Sequence, residues 1–408
     1  MNSLKELNKR WLYLGVGVFA MLFMGVLYAW SILKVPLKEA FGWEDSALAL
    51  NFTLTMCFFC IGAFIGSLIC KKRGVRFSLI ISGVLTGAGF ILTGLLTKDT
   101  LPLLYVGYAL IAGSGIGISY NVIISTVNAW FPDKKGLCSG CLMMGFGVST
   151  LLMGNVISGL FEYPAMGAQK TFIALGILLA TVIICASLVL RAPSPDTQLP
   201  APKPARTAKK QESFEARDYT TLEMVKSFTF WRAFVCIAFI TAVGNSVISF
   251  ARDLMLSVDA APALATTLVG VLSVCNGFGR ILTGAVYDIM GRRFTMIASN
   301  VLTIFAAGIT LIAVSVGSLP LCIVGLCLSG LSYGSCPTVA SAFTATFYGQ
   351  KHFSLNYGIA LFHLIGATLI AMVSNSLYIS SGSFVYSFIM LLALAVLALG
   401  LNLSIKKP

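Results

Sequence analysis

One basic residue of this sequence lies where a charge is energetically costly. Of the 28 Lys and Arg residues, all but Arg280 fall in polar segments or at the ends of apolar ones. Arg280 lies in a long apolar segment, eight residues before Asp288, and a helix would place it about 12 Å from that polar end. A guanidinium there needs a partner, and its planar fork binds a carboxylate through two parallel hydrogen bonds. The pattern predicts a carboxylate site; the alternative is a structural Arg held by carbonyls and Asn side chains.

The sequence offers Arg280 no acidic partner. All fifteen Asp and Glu residues fall in polar segments or at helix ends, so an external anion is the expected counter-charge. His363 lies about midway along another apolar segment, where it is able to hydrogen-bond the anion or carry a proton. A satisfied structural His is an equal alternative at this position.

Other chemistry finds no support in the sequence. There is no nucleotide-binding loop and no catalytic arrangement of His, Asp, Glu or Ser at motif spacing, so we predict no enzyme. Nearly all of the eleven Cys residues fall in apolar segments, where Cys packs as a small hydrophobe. We therefore predict no metal and no cofactor.

The elements that carry these residues are apolar helices. The chain has 408 residues, of which 57% are hydrophobic and 11% charged, against roughly 25% charged in a soluble protein. Apolar stretches recur at about the 20 residues that a spanning helix needs. We predict an all-α integral membrane protein with twelve transmembrane helices in two six-helix bundles, at residues 11–33, 47–70, 76–97, 101–126, 138–160, 171–190, 230–250, 262–287, 294–316, 320–346, 355–379 and 383–404.

The charges predict the orientation of these helices. With the N-terminus inside, the inner segments hold 22 Lys and Arg residues and the outer loops hold five. This asymmetry follows the positive-inside rule and explains the net charge of +13 without nucleic acid. We expect a multi-pass protein of the cytoplasmic (inner) membrane with both termini cytoplasmic, surrounded by the lipid bilayer.

A Pro-rich, charged stretch divides the chain. It predicts an N-terminal six-helix bundle at 1–190, a flexible cytoplasmic linker at 191–229 and a C-terminal six-helix bundle at 230–408. The halves are similar to each other, because Gly117-Ile-Ser-Tyr120 recurs 213 residues later as Gly330-Leu-Ser-Tyr333. Two parallel repeats of six helices are a common layout of transporters.

A loop motif in the second half resembles that of the major facilitator superfamily. The superfamily pattern G-x-x-x-D-(R/K)-x-G-x-(R/K) is similar to the run from Gly284 through Asp288 to Arg292 and Arg293. An Asp at a helix end, facing basic residues and a neighbouring helix terminus, predicts a breakable contact between conformational states. We therefore predict gating roles for Asp288, Arg292 and Arg293; a solvated charged turn is the alternative. The copy in the first half has Lys71 where the Asp is expected.

A narrower resemblance is to the oxalate/formate antiporter family, and specifically to its monocarboxylate-type members. It covers essentially the whole chain outside the linker, and it rests on the loop from Asn128 to Gly140, Arg10-Trp11, Tyr28-Ala-Trp30, Asn276-Gly-Phe-Gly-Arg280 and Asn356-Tyr-Gly358. The family carries oxalate, formate, pyruvate and lactate. The resemblance thus implies a carrier of small carboxylates without naming the substrate.

The resemblance also implies a substrate site. Arg280 matches the family's substrate-binding Arg, and Tyr28, Tyr120, Phe146 and Tyr333 match positions that line its central cavity. Asn121 follows Tyr120, and Asn276 lies one turn before Arg280. We predict that these residues and His363 bind the substrate, with ordinary helix packing as the alternative for each aromatic and amide residue.

The resemblance further implies how many carboxylates bind. The oxalate carriers of the family place a Lys where this chain has Leu364, and two tryptophans of the oxalate cage correspond to Ser329 and Leu361. We therefore predict a monomeric secondary transporter of a small monocarboxylate (pyruvate, lactate or formate class) that works by alternating access, with protons or a counter-anion as coupling partners. The alternatives are an oxalate/formate-type exchanger and a multidrug exporter of the same superfamily.

Overall fold

The chain is all-helical, as the sequence predicts. The computed structural model describes residues 2–194, 197, 199–200 and 217–405, and within these residues there is no β-strand. A 3-10 segment occupies Gly25–Ala29 and a π-helix occupies Tyr105–Gly113. The α-helices of this described part are α1 (Asn2–Met24), α2 (Trp30–Phe41), α3 (Asp45–Gly94), α4 (Leu101–Leu104), α5 (Ser114–Asn128), α6 (Lys135–Glu162), α7 (Gly167–Val189), α8 (Thr221–Lys226), α9 (Phe228–Leu256), α10 (Pro262–Val316), α11 (Leu319–Phe347), α12 (Phe353–Ala360), α13 (His363–Ser381) and α14 (Phe384–Leu403).

Ten helical segments of the described chain are long and apolar enough to cross a membrane. Two of them, Ser46–Gly94 with 49 residues and Pro262–Val316 with 55, are far longer than one crossing requires. At 1.5 Å per residue each would extend about 70–80 Å, more than twice the ~30 Å hydrocarbon core. Each therefore supplies two crossings, which gives the twelve that the sequence predicts.

A glycine divides each of the two long helices. Gly74 in α3 has φ 82° and ψ 174°, and Gly291 in α10 has φ 78° and ψ 178°. Side chains disfavour this region of backbone space, so glycine is the residue that permits the turn. The two breaks have the same geometry and fall in the two basic loops that the sequence places at corresponding positions of the halves.

By packing, the chain divides into two compact units. One unit contains Met1–Asp133, Gly145–Ala201 and Tyr357–Phe362, and the other contains Lys134–Met144, Pro202–Asn356 and His363–Pro408. The predicted boundaries at 190 and 230 remain predictions. About half of the predicted linker (residues 195, 196, 198 and 201–216), and the terminal Lys406 and Lys407, lie outside the described residues.

The internal repeat is confirmed in how helices pack inside each unit. In the first unit, Gly117 of α5 lies so close to the main-chain oxygen of Phe59 that a Cβ would overlap it. In the second unit, Gly330 of α11 lies in the same way against the main-chain oxygen of Leu272, 213 residues later in both helices. The two halves therefore contain equivalent helix pairs that pack in the same register.

Several predicted helices are not continuous α-helices. The predicted helix 101–126 contains the π-helix Tyr105–Gly113. The predicted helix 11–33 is interrupted by the 3-10 segment Gly25–Ala29, and the predicted helix 355–379 is interrupted between Ala360 and His363. The predicted helix 230–250 continues to Leu256 through a kink at Phe250, where φ is −123° and ψ is 19°. Hydropathy reports apolar length and not hydrogen-bond continuity, which is why the sequence did not indicate these breaks.

The end of the predicted flexible linker is folded. Residues Thr221–Lys226 form α8, and Thr220 caps it in a capping box with Glu223, in which each side chain bonds the other residue's main-chain N–H. The sequence Thr-x-x-Glu is the signature of this cap. The composition of the Pro-rich residues that precede this motif predicts a flexible linker, and the linker prediction is therefore wrong for Thr221–Lys226.

Candidate functional site

The side chain of Arg280 is buried in α10 and held in one orientation. The residue is 2% exposed. Its Nε donates to Oδ1 of Asn276 at 3.1 Å, and its Nη1 donates to the main-chain oxygen of Met143 at 2.6 Å. A guanidinium carries five N–H groups. Within the described chain no residue accepts a hydrogen bond from Nη2, so that end of the fork remains available to a ligand.

Glycines bring two other helices against the backbone at Arg280. Gly140 of α6 packs on the Arg280 carbonyl, and Gly334 of α11 packs on the main-chain oxygen of Asn276 and the nitrogen of Arg280. A Cβ at Gly334 would approach that nitrogen to 3.0 Å. These contacts on two sides restrict movement of the α10 backbone from which the Arg280 side chain extends.

Small polar side chains surround this contact between helices. The Thr338 hydroxyl donates to the main-chain oxygen of Arg280 at 3.3 Å, and the hydroxyls of Ser139 and Ser341 lie 3.0 Å apart. All three residues are buried. They satisfy polar groups between α6, α10 and α11 without introducing charge.

Arg280 has no acidic partner among the residues that the structure describes. The other buried Arg, Arg10, instead forms an ion pair with Asp133 at 2.9 Å, in which both side chains are about 10% exposed. No Asp or Glu in the described ranges belongs to the buried class. Burying a charge without a partner is costly, so the contrast with Arg10 marks Arg280 as the unusual cation.

The predicted aromatic residues of the first unit form one cluster. Phe146 contacts Tyr28 and Tyr120 edge-on, with ring centroids 5.1 and 5.2 Å apart. Phe59, which belongs to no motif in the sequence, packs on Tyr120 with ring centroids 5.1 Å apart. The Tyr120 hydroxyl lies 3.5 Å from that of Tyr357. The structure therefore brings together three predicted site residues and adds Phe59 and Tyr357.

Asn121 is used for packing between helices. It is fully buried, and its Nδ2 donates to the main-chain oxygen of Ala63 at 2.8 Å. That bond joins α5 to α3 inside the first unit. The contact supports the packing interpretation of Asn121, and its predicted contact with substrate stays a prediction.

The two remaining predicted site residues, Tyr333 and His363, both pack against α9. The Tyr333 side chain packs against Gly244 of α9, where any Cβ would overlap it. His363 is 1% exposed, begins α13 directly after the break in that helix, and faces the ring of Phe234 at 6.3 Å. The substrate-binding roles of Tyr333 and His363 stay predictions.

Asp288 binds the N-terminus of α6. Its two carboxylate oxygens accept hydrogen bonds of 2.8 Å from the main-chain N–H groups of Gly136 and Leu137. A carboxylate at this end of a helix satisfies otherwise unpaired N–H groups and complements the helix dipole. This is the kind of contact that the loop motif predicts, and its role in gating remains a prediction.

The basic residues of that motif differ in their surroundings. Arg292 lies over the ring of Phe347 at 4.8 Å, whereas Arg293 is exposed. Lys135, at the start of α6, interacts electrostatically with Asp288 and Asp218. The two predicted gating arginines therefore differ in their environment. Lys135 is a further cation that interacts with the carboxylate of Asp288.

A second polar cluster joins the segment before α8 to the start of α12. The buried Asn356 donates from Nδ2 to the main-chain oxygen of Tyr219 at 3.0 Å and accepts from the Thr221 hydroxyl at 2.9 Å. The Asp218 carboxylate accepts from the main-chain N–H of Lys351 at 3.1 Å. In the sequence, Asn356 stands out only as part of the Asn-Tyr-Gly motif. No sequence pattern indicates its contacts with Tyr219 and Thr221.

Three residues that sequence reasoning missed lie in these sites. Met143 contributes a main-chain oxygen, which no side-chain pattern reveals. Phe59 is one of 28 Phe residues and has no distinguishing neighbour in the sequence. Tyr357 was detectable, because it lies in the Asn-Tyr-Gly motif that supports the family resemblance.

Comparison with known proteins gives the class of this chain. The sequence profile of the Major Facilitator Superfamily matches residues 13–255 and 233–407. The chain therefore belongs to the Major Facilitator Superfamily. It is a multi-pass membrane transporter of small molecules and not an enzyme.

Individual relatives are consistent with this family. The chain is 32% identical over 296 residues to an oxalate:formate antiporter of Oxalobacter formigenes, an alignment that covers 71% of this chain and 66% of the antiporter, just under two thirds of its length. It is 23% identical over 383 residues to monocarboxylate transporter 12 of Mus musculus, covering 88% and 77% of the two chains.

The fold is also that of a solved superfamily member. The proton:xylose symporter XylE, bound to 6-bromo-6-deoxy-D-glucose, superposes with a TM-score of 0.76 at 15% identity, covering 98% of this chain and 96% of XylE. At this level of identity the likeness concerns the fold alone. The major facilitator fold, which the resemblance of the loop motif implies, is confirmed.

Proposed function

We propose that the chain transports a small monocarboxylate of the pyruvate, lactate or formate class by alternating access. The observation that carries the proposal is the buried Arg280 guanidinium, which is oriented by Asn276 and Met143 and has no acidic partner among the described residues. A carboxylate bound to it would gain a charge-assisted, bidentate hydrogen bond in an apolar environment. Tyr28, Tyr120 and Phe146 form an aromatic cluster inside the first unit, and their proposed part in substrate binding rests on the family resemblance.

The substrate class is supported by two relatives. One is an antiporter of oxalate and formate, and the other is a monocarboxylate transporter. Both cargoes carry a carboxylate, which is the group that Arg280 is suited to bind. A single carboxylate is favoured here, because the position where the resemblance expects a second cation is Leu364, an apolar residue that is 8% exposed.

Specific observations bear on two alternative functions, oxalate/formate exchange and the export of cationic drugs. Oxalate/formate-type exchange is favoured by the 32% identity to the antiporter, and it would require the second carboxylate to bind without Leu364 supplying a charge. Export of cationic drugs is disfavoured, because no Asp or Glu in the described residues is buried where a cation would need it.

We further propose that the protein lies in the inner membrane with both termini cytoplasmic and works as a monomer. The proposed orientation rests on the distribution of Lys and Arg. Coupling would be to protons or to a counter-anion, and His363 is the candidate titrating residue, since it is the one buried His of the described chain.

The test is uptake into proteoliposomes. Labelled formate, L-lactate, pyruvate and oxalate would each be supplied with and without a pH gradient, and with each unlabelled anion inside. We expect saturable uptake of at least one monocarboxylate, little uptake of oxalate, and loss of uptake in R280A. Arg252 is exposed and lies outside the predicted site and gate. R252A is therefore the control for removing an arginine, and it should keep its uptake of monocarboxylate.

The alternatives give different results in the same experiment. Strong oxalate exchange would replace the monocarboxylate proposal with the antiporter. Normal saturable uptake by R280A would contradict the assignment of the site.

A further inference from the structure

Asn276 bonds the same guanidinium to which the substrate is assigned. Its Oδ1 accepts from Nε of Arg280 at 3.1 Å, four residues further along α10, so one helix face carries both groups. Asn276 is 6% exposed. The sequence predicts it as a substrate ligand, but the structure shows its carbonyl oxygen already bonded to Arg280.

The backbone at Asn276 cannot shift easily. Gly334 of α11 packs directly on the main-chain oxygen of Asn276, and Gly330, one turn earlier, packs on Leu272. With its backbone fixed by these contacts, Asn276 holds the Nε edge of the fork at a defined place. Preorganised groups of this kind lower the cost of ordering a site when the ligand binds.

The chemical nature of Asn276 is as important as its position. An Asp would accept the same Nε hydrogen bond and would be almost the same size. It would also bring a negative charge into contact with Arg280 and form an internal ion pair. Two opposite charges in contact attract each other more strongly inside a protein than in water, so an Asp would compete directly with a substrate anion.

The equivalent helix pair of the first half has a different arrangement. There the amide belongs to Asn121, which takes the place of Gly334, and it donates to the main-chain oxygen of Ala63, which takes the place of Asn276. The position corresponding to Arg280 is Ser67, whose hydroxyl donates to Phe64 within its own helix. Where the first half has an amide that joins two helices, the second half has the hydrogen-bonded pair of Arg280 and Asn276.

We propose that Asn276 is a positioning residue that fixes the Arg280 guanidinium while leaving its full positive charge to the substrate. The proposal rests on the function proposed above. Because Asn276 occupies Nε and Met143 occupies one N–H of Nη1, the carboxylate binds at the Nη2 end of the fork. The bound carboxylate therefore approaches Arg280 from the side that neither Asn276 nor Met143 occupies.

Substitution by Asp tests whether the charge of Arg280 has to remain available to the substrate. In N276D the Nε hydrogen bond is retained, so the protein should insert and melt at a temperature no lower than the wild type. KM for the transported monocarboxylate, measured with labelled formate and pyruvate, should rise by about tenfold or more, because the new carboxylate neutralises Arg280. An unchanged KM in N276D would show that the charge of Arg280 does not have to stay unpaired for transport.

Two further variants make the test decisive. N276S has a hydroxyl that is too short to reach Nε, and it should raise KM by several-fold with kcat largely retained. If N276D does not insert, N276S decides the matter, and an unchanged KM in N276S overturns the proposal. R280A is measured in parallel: normal uptake by R280A would refute the proposed function itself, whereas loss in R280A with wild-type KM in N276D would refute only the role of Asn276.

Discussion

The main-chain oxygen of Met143 accepts a 2.6 Å hydrogen bond from Nη1 of Arg280. A charged donor makes such a bond shorter and stronger than a neutral one. It is made to a backbone group, so it does not depend on the side chain at position 143. In the proposed function, the bound carboxylate and the Met143 oxygen share one guanidinium, and the planar shape of Arg is what allows both to be bonded together.

Arg280→Lys therefore should not preserve function, although it preserves charge. A Lys ammonium has three donors on one atom and no fork, so it is unable to bond Asn276, Met143 and a carboxylate in the same geometry. We expect KM for monocarboxylate to rise by about tenfold or more in proteoliposome uptake. Wild-type kinetics in R280K would indicate that the site needs only a positive charge.

Gly334→Ala tests the close packing on which the site rests. A Cβ at this position would overlap the main-chain oxygen of Asn276, so the α10 and α11 helices would have to move apart. We expect a loss of about 1–3 kcal/mol in stability, as is usual for overpacking, together with reduced uptake.

Gly366→Ala is the matched control for this substitution. Gly366 lies in α13 with nothing within 4 Å of an added Cβ, and Ala is a better helix former than Gly by about 1 kcal/mol. The melting temperature of G366A should equal or exceed that of the wild type. Equal melting temperatures for G334A and G366A would contradict the packing argument.

Much of the fold was predictable from the sequence, because its physical causes are local. Apolar length alone predicts the crossings, and the Pro-rich stretch separates the halves. The glycines at 74 and 291 lie in basic loops that the sequence already identifies as turns. The 3-10 segment Gly25–Ala29 was not predictable, since it depends on how a helix packs against its neighbours rather than on its own composition.

Part of the site was also predictable, because one of its features has a local physical cause. Arg280 is visible because a lone cation in an apolar segment is energetically unusual. The roles of Asn121 and Asn276 were not visible, because one amide bonds Ala63 and the other bonds Arg280. An amide in an apolar helix must find a partner, but sequence does not say which partner it finds.

Asp288→Asn tests the contact at the start of α6. The carboxylate accepts from two main-chain N–H groups, at Gly136 and Leu137, and Asn offers one acceptor oxygen and no charge. We expect a loss of about 0.5–2 kcal/mol, the usual effect of removing a helix cap, and an altered rate of uptake if the contact is broken during transport.

Asp99→Asn is the control for this charge change, because Asp99 is exposed in the described loop before α4. Thermal unfolding and initial uptake rates would be measured for both variants. Uptake by D288N that matches D99N in rate and KM would argue against a gating role for Asp288.

The cap of α8 gives a prediction about pH. The main-chain N–H and the hydroxyl of Thr220 bond the Glu223 carboxylate, and with help from Arg217 they hold the pKa of that carboxyl below its ordinary value. A lowered folded pKa stabilises the cap above the ordinary value of about 4.3 and loses that effect as the pH falls through the folded pKa. Hydrogen exchange of residues 217–226, corrected for intrinsic rates, should rise below about pH 4. In E223Q the same segment should show no such step.

Asn356→Ala should release the segment before α8 from the start of α12. The Asn356 amide bonds both the main-chain oxygen of Tyr219 and the Thr221 hydroxyl, and its loss leaves both groups without that partner. Thr221→Val removes only the second bond and should give the smaller effect. We expect hydrogen exchange at residues 218–226 to increase in the order wild type, T221V, N356A, while exchange in α14 stays unchanged. Equal protection in N356A and the wild type would mean that the contacts of Asp218 and Tyr219 with the α11–α12 loop hold the segment without the amide.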